Sequence, residues 1–135
     1  MENTNRLRPF HIMLIDNDKH VRDSLKVFFE SSQIQFLIFK SAIEGLNSLK
    51  YQRVDVVISD YFLPDMDGIE FLIQVKKRHP DVIRILMATL SSDELEQEIA
   101  RYGIDSFIEK PLTVTTLDTI INELKTANFS KQIRR

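Results

Sequence analysis

The chain has no cysteine, which excludes disulfides and thiolate metal sites and is compatible with a reducing cytoplasm. With three glycines and four prolines in 135 residues it has no Gly/Pro/Ser-rich linker, and no repeat or low-complexity tract divides it. No apolar run approaches the ~20 residues that a bilayer-spanning helix needs. The polar start, Met1-Glu2-Asn3-Thr4-Asn5-Arg6, carries no signal-peptide core. Neither sign of charge dominates: 18 Lys and Arg against 20 Asp and Glu give a net charge of −2, with no global attraction to nucleic acid. The short basic run Lys131-Gln132-Ile133-Arg134-Arg135 reads as a solvated end. What remains is one domain of ordinary composition, 43% hydrophobic and 28% charged, large enough to bury its own core and expected in the cytoplasm.

Five apolar runs alternate with five amphipathic stretches. The runs predict strands over His11 to Ile15, Gln35 to Phe39, Val54 to Ser59, Val82 to Met87 and Ser106 to Glu109. The first helix is expected from Lys19 to Ser31, with Val21, Leu25, Phe28 and Phe29 on one face. Ser41 and Glu44 form an S-x-x-E capping box for the second. The third starts near Gly68 and is stopped by Pro80. Ser91 or Ser92 caps the fourth, and Gly103 suits the left-handed position beyond its end. The fifth, Val114 through Lys125, presents Leu117, Ile120, Ile121 and Leu124 at helical spacing. Phe10, Phe36 and the run from Ile34 to Phe39 read as core. This alternation predicts an α/β fold, a doubly wound parallel sheet with right-handed crossovers.

In such a sheet the reactive crevice lies at the carboxyl ends of the strands. The third run ends in Asp60, and the first in Asp16-Asn17-Asp18. Like charges gathered at one sheet edge are costly unless a cation holds them or their pKa values separate. Oxygen donors without Cys or His favour a hard ion such as Mg²⁺. Asp18 reads equally as an N-cap of the first helix. The fourth run ends in Thr89, a hydroxyl, and the fifth in Lys110, an ammonium. A carboxylate nucleophile, a cation, a hydroxyl and a Lys are the parts that phosphoryl transfer needs.

On these residues the chain resembles the receiver domain of bacterial two-component response regulators. The motif Asp60-x3-Pro64-x2-Asp67-Gly68 and the Lys110-Pro111 pair are specific to it, and the resemblance covers roughly residues 9 to 127. It implies a flavodoxin-like five-stranded sheet in the order 2-1-3-4-5, with helices on both faces. It makes Asp60 the phosphoacceptor, supplied by a sensor histidine kinase or phosphotransfer protein. Mg²⁺ would be held by Asp16, Asn17, Asp60 and the backbone carbonyl of Phe62. Thr89 and Lys110 would contact the phosphoryl group, and Phe107 would be the aromatic switch residue, although it reads equally as core. Asp67-Gly68 reads as the turn into the third helix. The Lys110–Pro111 bond is expected to be cis. The readout face would join the fourth helix, fifth strand and fifth helix to an effector or output domain. The fifth helix lacks the Arg-rich pattern of the winged-helix class, which disfavours that class's dimer and leaves any other homodimer open.

Two positions depart from the pattern. Asn17 stands where a second carboxylate is common, which should weaken the metal site. Leu90 follows Thr89 where a small residue is usual, and its bulk is expected to narrow access to Asp60. The reading is therefore a phosphorylation-dependent switch with weakened Mg²⁺ binding and no separate enzymatic turnover. The alternative is a degenerate receiver, a binding module that works without phosphorylation. A rival from another class takes Asp16-Asn17-Asp18 as the DxD of a haloacid-dehalogenase-type phosphatase, but His20 stands where that motif has Thr or Val. Residues 1–8 are expected to be a flexible segment, 9–127 the receiver, and 128–135 a tail or the start of a linker.

Overall fold

In a computed structural model, residues 10–30 and 34–134 are described. The expected flexible segment, residues 1–8, lies outside them. Five parallel strands form one sheet in the order β2-β1-β3-β4-β5. They are β1 (His11–Ile15), β2 (Gln35–Phe39), β3 (Val56–Asp60), β4 (Ile83–Ala88) and β5 (Ser106–Glu109). Between and after them, the described residues contain five helices: α1 (Lys19–Glu30), α2 (Ala42–Leu49), α3 (Gly68–Arg78), α4 (Asp93–Arg101) and α5 (Val114–Arg134). This is the flavodoxin-like architecture that the alternation and the resemblance imply.

The sheet separates two cores. On one face Met13, Ile15, Val57 and Leu86 meet Ala42 and Leu46 of α2, Phe71, Leu72 and Val75 of α3 and Leu95 of α4. On the other, Ile12, Leu14, Ile58 and Met87 meet Leu25 and Phe29 of α1 and Leu117 and Ile121 of α5. Alternate residues of β1 and β3 therefore face opposite cores, which is why both strands are apolar at nearly every position. The run at β2 packs against both cores as expected, but from the sheet edge, so Phe36 and Ile38, like Phe10 before β1, are only partly buried.

β3 and β4 each begin later than expected and run one residue further. The shift at the start of β3 has a local cause. The Asp55 carboxylate accepts the His11 N–H at 2.8 Å, and its carbonyl accepts the Ile83 N–H at 3.1 Å. Asp55 is thus spent on bracketing its neighbours, and the ladder starts at Val56. At the other end Asp60 pairs with Met87, so the proposed nucleophile lies within the ladder and not in the loop after it.

The helix starts are satisfied largely as the sequence implies. Ser92 Oγ accepts the Leu95 N–H at 3.1 Å, and Asp67 accepts the Ile69 N–H at 2.6 Å, making it the N-cap of α3. Gly103 has φ 62°, the left-handed position past α4. The capping box is modified: Ser41 Oγ accepts from Glu44 N, but the Glu44 carboxylate returns to the Lys40 N–H. The last helix does not stop at Lys125. No Gly or Pro interrupts residues 114–134, and the helix runs to Arg134, through most of the segment expected to be a tail.

Candidate functional site

β1 and β3 are hydrogen-bonded neighbours, Ile15 opposite Ser59, so Asp16 and Asp60 emerge side by side at the carboxyl edge. Asp16 is fully buried and Asp60 is 8% exposed. Lys110 follows β5, two strands from β3, and its side chain crosses the edge to join them. Its Nζ donates to Asp60 Oδ2 at 3.0 Å and to Asp16 Oδ2 at 3.3 Å. The Lys110–Pro111 peptide bond is cis, as expected.

The charges at this point are strongly coupled. Burial raises the Asp16 carboxyl above its ordinary value, against the opposing pull of the Asp18 N–H and of Lys110. Burial lowers the Lys110 ammonium, but the hydrogen bond to Asp60 and the charges of Asp16 and Asp60 outweigh it, so its pKa stands above that of an ordinary lysine. The ammonium stays charged at neutral pH because two carboxylates need it.

The segment after β1 divides its roles. Asp16 Oδ1 accepts the Asp18 N–H at 2.8 Å, which fixes the buried carboxylate. Asp18 turns outward and accepts the His20 N–H at 2.9 Å, so it caps α1. Of its two readings, the cap is the one the structure supports. Asn17 is exposed and is not brought into the Lys110 cluster. Thr89 follows β4 at the same edge; its side chain is exposed, and its hydroxyl has no hydrogen-bond partner among the described residues. Leu90, directly after Thr89, is 76% exposed. Phe107 is half-buried on β5, opposite Leu86, against the α2–α3–α4 core, an environment compatible with both of its readings.

The loop after Asp60 is tightly built. Gly68 N donates to Tyr61 O at 2.7 Å, and Phe62 bridges to Asp67. A Cβ on Gly68 would collide with the carbonyl oxygen of Asp60 and come within 2.9 Å of the Tyr61 Cα. Glycine is required here because the start of α3 is pressed onto the backbone of Asp60 and Tyr61. Phe62 is 77% exposed.

Among the described residues no three acidic or histidine side chains gather as a metal site. The donor set still fits a hard ion, because Mg²⁺ keeps several waters and uses one or two carboxylates. Asp16 and Asp60 are two such carboxylates, already paired with one cation, Lys110.

Two structural residues escaped the sequence reading. Asp65 accepts the backbone N–H groups of Ala42 and Ile43 at 3.1 and 2.8 Å. Arg84, 1% exposed on β4, donates to the carbonyls of Leu72, Tyr102 and Gly103. Arg84 had a visible signal: a charge inside an apolar run covered on both faces must find partners. Asp65 had none, because its partners lie more than twenty residues away.

The chain matches the family described as the response regulator receiver domain over residues 12–122. It is 28% identical over 116 residues to the transcriptional regulatory protein GlrR of Escherichia coli (strain K12), covering 86% of this chain and 26% of that protein. It is 31% identical over 111 residues to the transcriptional regulatory protein FixJ of Bradyrhizobium diazoefficiens, covering 82% of this chain and 54% of that protein. The chain thus spans about half or less of the length of these curated relatives. Among solved structures, it resembles a CheY-like receiver domain protein from Methanospirillum hungatei JF-1 with TM-score 0.85 and 27% identity, over 92% of this chain and 99% of that one.

Proposed function

Because this chain belongs to the response regulator receiver domain family, we propose that it is a phosphorylation-dependent switch whose phosphoacceptor is Asp60. The observation that carries this reading is the Lys110 ammonium, held 3.0 Å from Asp60 and 3.3 Å from Asp16 at one sheet edge. An Asp60 oxygen attacks the phosphorus of a phosphohistidine on a sensor kinase or phosphotransfer protein. The new P–O bond forms as the P–N bond breaks, and the imidazole leaves with the electron pair. Lys110 is positioned to exchange one carboxylate contact for a phosphoryl oxygen, and the exposed Thr89 hydroxyl is available to donate to another. Asp16, Asp60 and the Phe62 carbonyl, with Asn17 alongside, would hold Mg²⁺, which would supply charge to offset the phosphoryl oxygens.

The phosphoryl group favours one of two conformations only through contacts that differ between them. Thr89 and Phe107 are the residues assigned to that difference, read out at α4, β5 and α5. The relatives carry names of transcriptional regulators, and this chain spans only part of their length. Its output is therefore assigned to an effector or a further domain, and the domain itself turns over no separate substrate. Its setting is the cytoplasm; among the described residues no helix is long and apolar enough to cross a membrane.

The test is mass spectrometry after treatment with acetyl phosphate and Mg²⁺. A phosphate-sized adduct is expected, absent in Asp60→Asn. The competing reading, a receiver that binds partners without phosphorylation, draws on Asn17 standing exposed outside the cluster, and it requires no adduct on the folded wild type.

A further inference from the structure

We propose that Asp65 is a positioning residue for the Asp60 site: its carboxylate grips the amino end of α2 and so holds the 61–67 loop, which carries the Phe62 carbonyl, in one shape. The inference rests on the metal-assisted reading above and extends it to a residue outside the acidic cluster.

The amino end of α2 has free N–H groups to satisfy. Ser41 Oγ takes that of Glu44, and the Ser41 carbonyl takes that of Gly45 at 3.2 Å. The remaining two, of Ala42 and Ile43, both go to Asp65, one to each carboxylate oxygen. A carboxylate at a helix amino end is favoured by the helix dipole, so the grip has charge as well as geometry in its favour.

The position of the grip gives it a role beyond capping. Asp65 lies five residues after Asp60, whereas α2 follows the edge strand β2, two places away in the sheet. The loop is therefore fixed at two points. Its base is closed by the Gly68-to-Tyr61 bond and the Phe62–Asp67 bridge, and its tip is tied by Asp65. Leu63 and Met66, on either side of the tip, rest on the same core as Ala42 and Leu46. Phe62 is in the base, as one end of that bridge. Mg²⁺ demands near-ideal octahedral geometry, so a backbone donor helps only if its loop is already in place. Residues that orient metal donors from behind typically change affinity by about 10–100-fold when removed.

The experiment compares wild type, Asp65→Ala, Asp65→Asn and Ser41→Ala by two measurements. One is Mg²⁺ affinity by calorimetry; the other is amide hydrogen exchange at Gly68 in metal-free buffer. Asp65→Ala is expected to weaken Mg²⁺ binding about tenfold and to speed Gly68 exchange about as much. Asp65→Asn keeps an acceptor oxygen and recovers part of both. Ser41→Ala removes a bond from the same helix end and leaves both unchanged, which separates positioning from general loss of stability. Unchanged Gly68 exchange in Asp65→Ala overturns the proposal whatever the ion does. So does unchanged affinity in a protein that binds Mg²⁺. If exchange responds but wild type binds no Mg²⁺, the hold on the loop is supported and the metal-assisted reading fails.

Discussion

Lys110 is where burial and charge oppose each other most directly in this molecule. Desolvation acts to neutralise it, yet its bonds to Asp60 and Asp16 hold its pKa above that of an ordinary lysine, 10.5. Replacing it with Met keeps the volume and removes the cation, leaving two buried carboxylates facing each other. In metal-free buffer at pH 7 we expect Lys110→Met to cost about 1–3 kcal/mol, below the figure for a fully enclosed pair because the Lys side chain is 19% exposed. A group whose folded pKa is raised contributes stability in full below its unfolded value and loses it as pH rises through the folded one. The wild-type advantage should therefore hold to about pH 10 and vanish above the raised Lys110 value. It should also shrink in acid, because Asp16 takes up its proton above 3.8. Urea unfolding across pH checks this, and a difference independent of pH would refute it. Asp16, Asp60 and Lys110 were legible in the sequence because each ends an apolar run, and strand ends converge in a parallel sheet. Asp65 was not, because a carboxylate in a turn discloses nothing about a helix more than twenty residues away.

The strands were legible as elements for a similar reason, since period and flanking turn residues mark them. Their limits were set instead by partners such as Asp55, which the sequence lists without saying what they bond. β4 is the clearest case, because Arg84 interrupts an apolar run and yet belongs to it. Its backbone N–H donates to the Asp105 carboxylate at 2.8 Å, fixing the strand's start beside β5. Its guanidinium reaches Leu72 O at 3.1 Å, Tyr102 O at 3.0 Å and Gly103 O at 2.6 Å, joining α3 to the end of α4. Burial lowers its pKa while Asp105 acts to raise it. Buried ion pairs can often be replaced by apolar residues at little cost, but these acceptors are backbone carbonyls that cannot be removed. Arg84→Met should therefore cost about 3 kcal/mol, and Arg84→Lys should recover only part, since a compact ammonium lacks the planar fork whose two nitrogens reach three carbonyls. The drop in the urea midpoint measures this, and a loss under about 1 kcal/mol would show that water takes over the carbonyls.

At the scale of the whole molecule, the acidic carboxyl edge is set against the stability of the rest. Burial of Asp16 beside Asp60 makes the carboxyl edge a place where negative charge is held at a cost. A cation that binds only the folded edge stabilises the entire fold by mass action. At ten times its Kd, Mg²⁺ adds about 1.4 kcal/mol, or about 5 °C in Tm for a domain of this size. Asp60→Asn should abolish that rise. Asp16→Asn should abolish it too while raising the metal-free Tm, because the buried charge is gone; activity and stability then trade at one residue. Asn17→Asp should do the reverse. A further carboxylate beside the site tightens Mg²⁺ binding by about tenfold, so the rise appears at correspondingly lower metal concentration. Thermal melts of the four proteins with Mg²⁺ and with a chelator decide the matter. If Asn17→Asp melts like wild type at every Mg²⁺ concentration, the exposed position of Asn17 already takes it out of the ion's reach, and Asp16 and Asp60 alone supply the site's charge.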